Sequence, residues 1–430
     1  YVRGQSMENK LKAVVFSLGC KVNQYEGRAM VEKLIENGFD ATDKPGYADA
    51  YIINTCSVTA EADKKSRQAV ARMLKFNPNA KVYVCGCSSQ NSAANYLNKP
   101  NIRGIFGSFG KIQAISSIMS DIIHDDFNAP EIKIYGAEKT YEDDLTPEIT
   151  KSRAYIKIQD GCNNFCSYCI IPYLRGRSRS RSLESVVSEA KDIFPKTREI
   201  VVTGINVSAY GLDIGTDLSH LVDVLAVVPV RKRFGSLECN VITEDFLIRM
   251  KDAGFCDFFH LSMQSGCDSV LQRMNRHYTS AEFLSKVELI RKVFPDAGIS
   301  TDIIVAFPQE TEEEFLKTLD TVEKAAFMDI HVFPYSVRPG TKAASMPQVA
   351  PSEAKRRTDA LIEVKHRLNK KFLLSQTGKT GKVFVEDAEG DYNVGYTSNY
   401  IKVYTKAPVG SFCDHKLTEV FQNGMKGEII

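Results

Sequence analysis

Three cysteines in one short loop constrain this chain more than any other feature. Gly161-Cys162-Asn163-Asn164-Phe165-Cys166-Ser167-Tyr168-Cys169 gives C-x3-C-x2-C spacing just after the apolar run Tyr155–Ile158. A loop this short delivers three thiolates to one point, and only three. Structural zinc closes a tetrahedron with four ligands, and no further Cys or His lies within thirty residues of the loop. A cubane iron–sulfur cluster on three thiolates keeps one iron open for a substrate or cofactor. The alternatives are free buried cysteines or a partial zinc site.

Composition narrows the class. The 430 residues, 43% of them hydrophobic, suffice for two or three domains with real cores. No apolar run approaches eighteen residues and no signal-peptide pattern precedes the chain, so no membrane association is expected. Tyr1–Ser6 reads as a cloning remnant ahead of Met7, the expected native start. Eleven cysteines without a secretory signal suggest metal chemistry in a reducing cytoplasm rather than disulfides. A net charge of +2 excludes a globally basic nucleic-acid binder. Locally the picture differs. From Lys151 to Arg181 there are seven Lys or Arg and one acid, and a second basic run covers Lys365 to Lys382. Beside a metal site, such runs favour a polyanionic substrate.

Up to about residue 125, the apolar runs Ala13–Ser17, Tyr51–Asn54 and Lys81–Cys85 alternate with the helix-period segments Gln24–Asn37 and Ala60–Phe76. Alternation of this kind predicts a parallel α/β domain over 7–125. A cysteine follows each run: Cys20, Cys56 and Cys87, separated by 36 and 31 residues. Loops at the carboxyl edge of such a sheet converge, so the three are expected to meet. Cys85 competes with Cys87, but as a strand residue it should point away. The polar stretch 126–150 reads as a linker. Over 151–372 six strand candidates alternate with helices: Tyr155–Ile158, Glu199–Thr203, Gly235–Glu238, Phe258–Met263, Thr301–Phe307 and Ile330–Tyr335. The expected result is a partial (β/α)6 barrel, with its chemistry at the carboxyl ends of the strands. After the helical pattern Pro351–Ser375, the runs Lys382–Glu386, Tyr392–Tyr396, Ile401–Thr405 and Lys416–Phe421 with glycine turns predict a small β-barrel over 373–430.

With these regions placed, the chain resembles a methylthiotransferase of the radical S-adenosylmethionine superfamily, over nearly all of 7–430. The informative strings are Leu18-Gly19-Cys20-Lys21-Val22-Asn23-Gln24-Tyr25-Glu26, Asn54-Thr55-Cys56-Ser57-Val58-Thr59 and the opening cysteine loop. They are similar to the branch acting on threonylcarbamoyladenosine next to the tRNA anticodon. The resemblance implies two 4Fe-4S clusters. One, on Cys20, Cys56 and Cys87, would carry sulfur; the other, on Cys162, Cys166 and Cys169, would bind S-adenosylmethionine. It further implies methylthiolation at adenine C2, a TRAM-like RNA-binding barrel at the carboxyl end, and a tRNA partner. A sulfur donor and a flavodoxin- or ferredoxin-type electron donor complete the set. Three departures stand out: Ala306 and Gln309 where the family often has glycine, and Cys239 where proline is common.

The remaining candidates follow from position. Thr203, Gly204 and Asn206 are candidates for the methionyl amine and carboxylate of the cofactor. Glu238, Gln264 and Asp302, at later strand ends, are candidates for its ribose or amine. Tyr168 either flanks the adenine or packs. Arg175, Arg177, Arg179 and Arg181 alternate with small residues in a way that suits phosphate or a substrate carboxylate; the alternative is a solvated cap before Leu183. Arg338, Lys379 and Tyr396 are the other RNA candidates, whereas His260, His277 and His331 read as packing or capping residues. Rival readings are the same chemistry on isopentenyladenosine or on a ribosomal-protein aspartate, and a non-catalytic iron–sulfur RNA-binding regulator.

Overall fold

The structure is a computed structural model that describes residues 10–125, 128–136, 140–143, 147 and 153–430. The expected start at Met7 and parts of the expected linker lie outside the described residues. Strands β1 (Lys12–Ser17), β2 (Asp40–Thr42), β3 (Ala50–Thr55), β4 (Lys81–Gly86), β5 (Ile102–Phe106) and β6 (Glu131–Lys133) form one parallel sheet in the order β2-β1-β3-β4-β5-β6. Helices cover both faces, so neighbouring residues of a strand enter different cores. Val15 and Ile52 pack on one side; Val14, Tyr51 and Ile53 pack on the other. That burial on both faces is why these strands read as unbroken apolar runs. β6 corrects the linker expectation. Glu131-Ile132-Lys133 is too short to show a period, yet it pairs with β5 and extends the sheet.

The central region contains β7 (Arg153–Asp160), β8 (Arg179–Ser180), β9 (Glu199–Gly204), β10 (Arg231–Phe234), β11 (Ser236–Leu237), β12 (Phe258–Gln264), β13 (Gly298–Val305) and β14 (Asp329–Pro334). They form two four-stranded sheets, β10-β9-β7-β8 and β11-β12-β13-β14, parallel except for β8. The strand expected at Gly235–Glu238 is only the two-residue β11; β10 precedes it unannounced, and Gly235 separates the edges of the two sheets. One hydrophobic core still runs behind both, from Ile156 and Val202 to Leu261 and Ile330, so the sheets form a single partial barrel. Its helices start where local chemistry dictates. Thr279 with Glu282, and Thr311 with Glu314, form capping boxes that satisfy two otherwise unpaired backbone N–H groups each.

After the helix Pro351–Ser375, strands β15 (Thr380–Glu389), β16 (Tyr392–Tyr396), β17 (Lys402–Thr405), β18 (Phe412–Phe421) and β19 (Gly424–Ile429) close a barrel in the order β15-β16-β17-β19-β18. Sequence reading found four of the five. β19 was hidden because two glycines and charged residues dilute its alternation. This barrel docks on the partial barrel through polar contacts: Arg153 donates to Glu386 (2.6 Å), Arg231 to the Tyr396 carbonyl (2.9 Å), and Arg233 to the Tyr400 hydroxyl (2.8 Å). No helix among the described residues is long and apolar enough to cross a membrane.

Candidate active site

The loops after β1, β3 and β4 carry Cys20, Cys56 and Cys87 to one wall of a cavity of about 1290 Å³. Gly19 adopts a positive φ, and a Cβ there would collide with the Cys56 sulfur; only glycine lets these two loops approach so closely. Asn23 clamps them by donating to the carbonyls of Leu18 (2.9 Å) and Thr55 (2.8 Å). Cys85 instead packs in the sheet core, its thiol toward Asn54. The three loop thiols are free. Burial raises the pKa of Cys20 and lifts that of Cys56 to about 11. Metal binding would therefore release protons from this site.

Arg175 stands against this triad. It is fully buried, donating to the Cys87 sulfur (3.2 Å), to Asn23 (2.7 Å), to Glu26 (2.9 and 3.1 Å) and to Asp160 (3.1 Å). Lys111 and Lys157 also pair with Glu26, and Lys157 reaches Asp160 (2.6 Å). This ionic knot joins the helix Lys21–Glu36 of the first region to β7 of the second. Despite burial, the neighbouring Arg175, Lys111 and Lys157 hold the Glu26 carboxyl well below its usual range. Arg179 is buried and donates to the backbone of Arg175 and Arg177; Arg181 pairs with Glu189 and Asp143. The expectation that Arg175, Arg179 and Arg181 grip phosphate is therefore corrected: their guanidinium groups are committed inside the protein. Arg177 alone of the four is exposed, lying over the Phe165 ring at 4.4 Å.

The second triad sits on the loop after β7. Gly161, also at positive φ, packs against the Arg177 carbonyl where a side chain would not fit. Gln159 braces the loop by donating to the carbonyls of Asp160 and Gly161. Cys162, Cys166 and Cys169 are free, and burial lifts Cys169 to about 12. Asn206 donates to the Cys162 sulfur (3.6 Å), and Arg276 to that of Cys166 (3.6 Å). Each triad thus meets one buried guanidinium at one sulfur. Sequence reading missed Arg276 and mistook Arg175, because neither shows a local signal of its partner in sequence. Three thiols per triad, glycine-permitted close approach and N–H donors aimed at sulfur match the donor set of a cluster with one open iron.

The other candidates disperse. Thr203 and Gly204 line the large cavity. Glu238 accepts from Asn164 of the cysteine loop (2.6 Å) and from Arg276 (2.9 Å). Asp302 is held between His260 and His331, both at 3.1 Å; the two imidazoles that sequence reading set aside as packing residues line the cavity with it. The hydrogen bonds to Asp302 and Asp329 raise the His331 pKa to about 9. Gln264 ends β12 at a positive φ of 67°. Tyr168 is packed edge-on against Phe307. Arg338 is buried and donates to Ser57 (2.5 Å), so its expected RNA contact is corrected for the same reason as Arg175, whereas Lys379 is partly exposed in a surface pair with Asp296. Tyr396 does line the cavity, its ring stacked on Tyr400 at 4.9 Å.

Ala306 and Gln309 both occupy the left-handed region, with φ of 55° and 64°. A Cβ there costs roughly 1–2 kcal/mol, which explains why glycine suits these positions. Ala306→Gly and Gln309→Gly are each expected to add roughly 0.5–1 kcal/mol, net of the larger unfolded-state entropy of glycine. Thermal midpoints check this; a fall in either would show that the native backbone is unstrained there.

A partial barrel with a three-cysteine loop after its first strand defines a radical S-adenosylmethionine enzyme. Residues 156–322 match the Radical SAM superfamily, and residues 12–107 match Uncharacterized protein family UPF0004. The chain belongs to the radical SAM tRNA methylthiotransferases. It is 35% identical to the threonylcarbamoyladenosine tRNA methylthiotransferase MtaB of Bacillus subtilis (strain 168), covering 91% of this chain and 89% of that protein. It is 36% identical to the protein of the same name from Chlamydia pneumoniae, covering 96% and 97%. It is also 34% identical to a tRNA-2-methylthio-N(6)-dimethylallyladenosine synthase of Pelotomaculum thermopropionicum, over 90% and 88%. Among solved structures, the radical S-adenosylmethionine methyltransferase TsrM from Kitasatospora setae shares the fold, with a TM-score of 0.56 at 13% identity over 78% of this chain and 77% of that one.

Proposed function

We propose that this enzyme converts N6-threonylcarbamoyladenosine beside the tRNA anticodon to its 2-methylthio derivative. The observation that carries the reading is the large cavity. Its walls combine the sulfurs of Cys20, Cys56 and Cys87, the strand ends Thr203 and Gly204, and the aromatic pair Tyr396 and Tyr400. A sulfur-bearing centre, a barrel rim and a surface able to stack a base thus share one volume. The names of the full-length relatives cited above support threonylcarbamoyladenosine as the target.

In this reading Cys20, Cys56 and Cys87 would hold one 4Fe-4S cluster, and Cys162, Cys166 and Cys169 another. When bound, the clusters and S-adenosylmethionine supply the radical chemistry and the methylthio group. The chain's own residues do the rest. Arg175 and Arg276 each place an N–H on a cysteine sulfur, favouring the more negative, reduced state of whatever that sulfur ligates. Thr203 and Gly204 shape the rim where the cofactor would lie, and Asn206 orients Cys162. Tyr396, backed by Tyr400, offers a face for the base, and the closed carboxyl-terminal barrel serves as a TRAM-like RNA-binding domain. The domains run from 7 through strand β6, then 151–372 and 373–430. A sulfur donor and a flavodoxin- or ferredoxin-type electron donor serve the enzyme in a reducing cytoplasm, where its free thiols persist.

Nucleoside analysis of tRNA from a strain lacking the gene tests the substrate. Disappearance of 2-methylthio-threonylcarbamoyladenosine is expected. If that nucleoside persists while 2-methylthio-dimethylallyladenosine vanishes, the second reading, favoured by the relative from Pelotomaculum thermopropionicum, replaces the first.

A further inference from the structure

The cations that line the large cavity are almost all answered by a carboxylate. Arg153 and Arg233 converge on Glu199 at 2.9 Å, Lys365 meets Asp329 at 2.9 Å, Lys402 meets Glu389 at 2.6 Å, and Arg175 is held by Glu26. Lys21 is different. It lines the same cavity and is half-buried, yet no carboxylate lies within ion-pair distance of it among the described residues. Although it follows Cys20 directly, it shares its cavity with Arg153 and Arg233 of the barrel and with Tyr396 and Tyr400 of the carboxyl-terminal domain. Those two arginines are answered by Glu199, and Arg153 by Glu386 as well, which leaves Lys21 as the unmatched cation.

An unpaired ammonium in a partly dehydrated cavity is costly to leave alone and strongly favours an incoming anion. We infer that Lys21 reads the free carboxylate of the threonyl group on the substrate adenosine, and so distinguishes this nucleoside from one with an uncharged N6 substituent. The inference rests on the substrate reading above. Position supports it. Tyr396 and Tyr400 offer a stacking face in the same cavity, with the Arg153 guanidinium 5.7 and 5.4 Å from their ring centres. Lys21 lines that same cavity, so a base stacked there shares its volume with the ammonium. A site built to pair with one polar group discriminates sharply against an analogue lacking it, because its own buried group is then left unpaired.

The test is equilibrium binding of anticodon stem-loop RNA to the anaerobic, iron-loaded protein. One RNA carries threonylcarbamoyladenosine, a second carries the methyl ester of its threonyl carboxylate, and a third carries unmodified adenosine. The wild-type protein is expected to prefer the acid over the ester roughly ten- to hundredfold. Lys21→Gln should bring the acid down to the affinity of the ester while leaving the ester unchanged. Lys21→Arg should retain the preference at equal iron content, which separates a charge effect from damage beside Cys20. A Lys21→Gln protein that keeps the wild-type preference overturns the assignment to Lys21. Equal wild-type affinity for acid and ester overturns carboxylate recognition itself, and the ester arm requires no variant to fold. Failure of the substrate reading shows elsewhere, as persistence of the methylthiolated nucleoside in the deletion strain.

Discussion

Arg175→Met is expected to cost roughly 3–5 kcal/mol of stability, the largest single-residue effect outside the cysteines. The substitution fills most of the volume but removes the cation on which Glu26, Asp160, Asn23 and Cys87 converge. Lys111 and Lys157 remain, so Glu26 is not stripped bare. Asp160 keeps Lys157 at 2.6 Å and Arg179 at 3.9 Å. The loss should appear as an earlier first transition in denaturant, because the knot ties the first sheet to the barrel. Acid gives an independent signature. Glu26 and Asp160 both titrate below their ordinary range in the folded protein. Their contribution is therefore complete above the unfolded values near pH 4, and is lost as pH falls toward the folded ones. Wild-type stability should decline from about pH 5 downward, and in the variant the decline should start from a lower plateau. A variant within about 1 kcal/mol of wild type would mean that the knot contributes specificity rather than stability.

The second large effect concerns iron. Protein loaded anaerobically should carry about eight irons if each triad holds a four-iron cluster. Cys20→Ala and Cys162→Ala should each leave about four and each abolish methylthiolation of tRNA, since neither site substitutes for the other. Cys85→Ala supplies the control. Its thiol packs in the sheet core away from the cavity, so this variant should keep full iron and activity with a small loss of stability. About four irons in the wild-type protein would show that the first triad is not a cluster site, and about eight in Cys20→Ala protein would show that Cys20 is not a ligand.

The cysteines were legible in the sequence because their chemistry is local. Short spacing, or a small-residue turn after an apolar run, fixes where each thiol goes. The α/β alternation was legible for the same reason, since burial on both faces leaves an unbroken apolar run. What stayed hidden depends on distance along the chain. Arg175 and Glu26 are 149 residues apart, and nothing near Arg175 announces that a carboxylate awaits it. An alternating arginine segment looks solvated until its partners are placed, which is why three of its four arginines were misassigned. Arg276 escaped notice on the same grounds. Gly235 reads as the start of a strand, but only the docking of two sheets reveals it as their division. His260, Asp302 and His331 meet solely because β12, β13 and β14 are neighbours.

The docking of the small carboxyl-terminal barrel also fixes an order of events during synthesis. Cys20, Cys56 and Cys87 all precede residue 90, whereas Tyr396, Tyr400 and Lys402 of the same cavity wall are made about 300 residues later. A nascent chain therefore displays these three thiols before it can complete the chamber around them. Through that interval the sulfurs face water and dissolved oxidants directly. A metal centre inserted before those strands close would meet the least steric obstruction, while one inserted afterwards must pass through the mouth of the finished cavity. Whichever comes first, strands β16 and β17 act as the shutter of a chamber whose thiols were laid down long before.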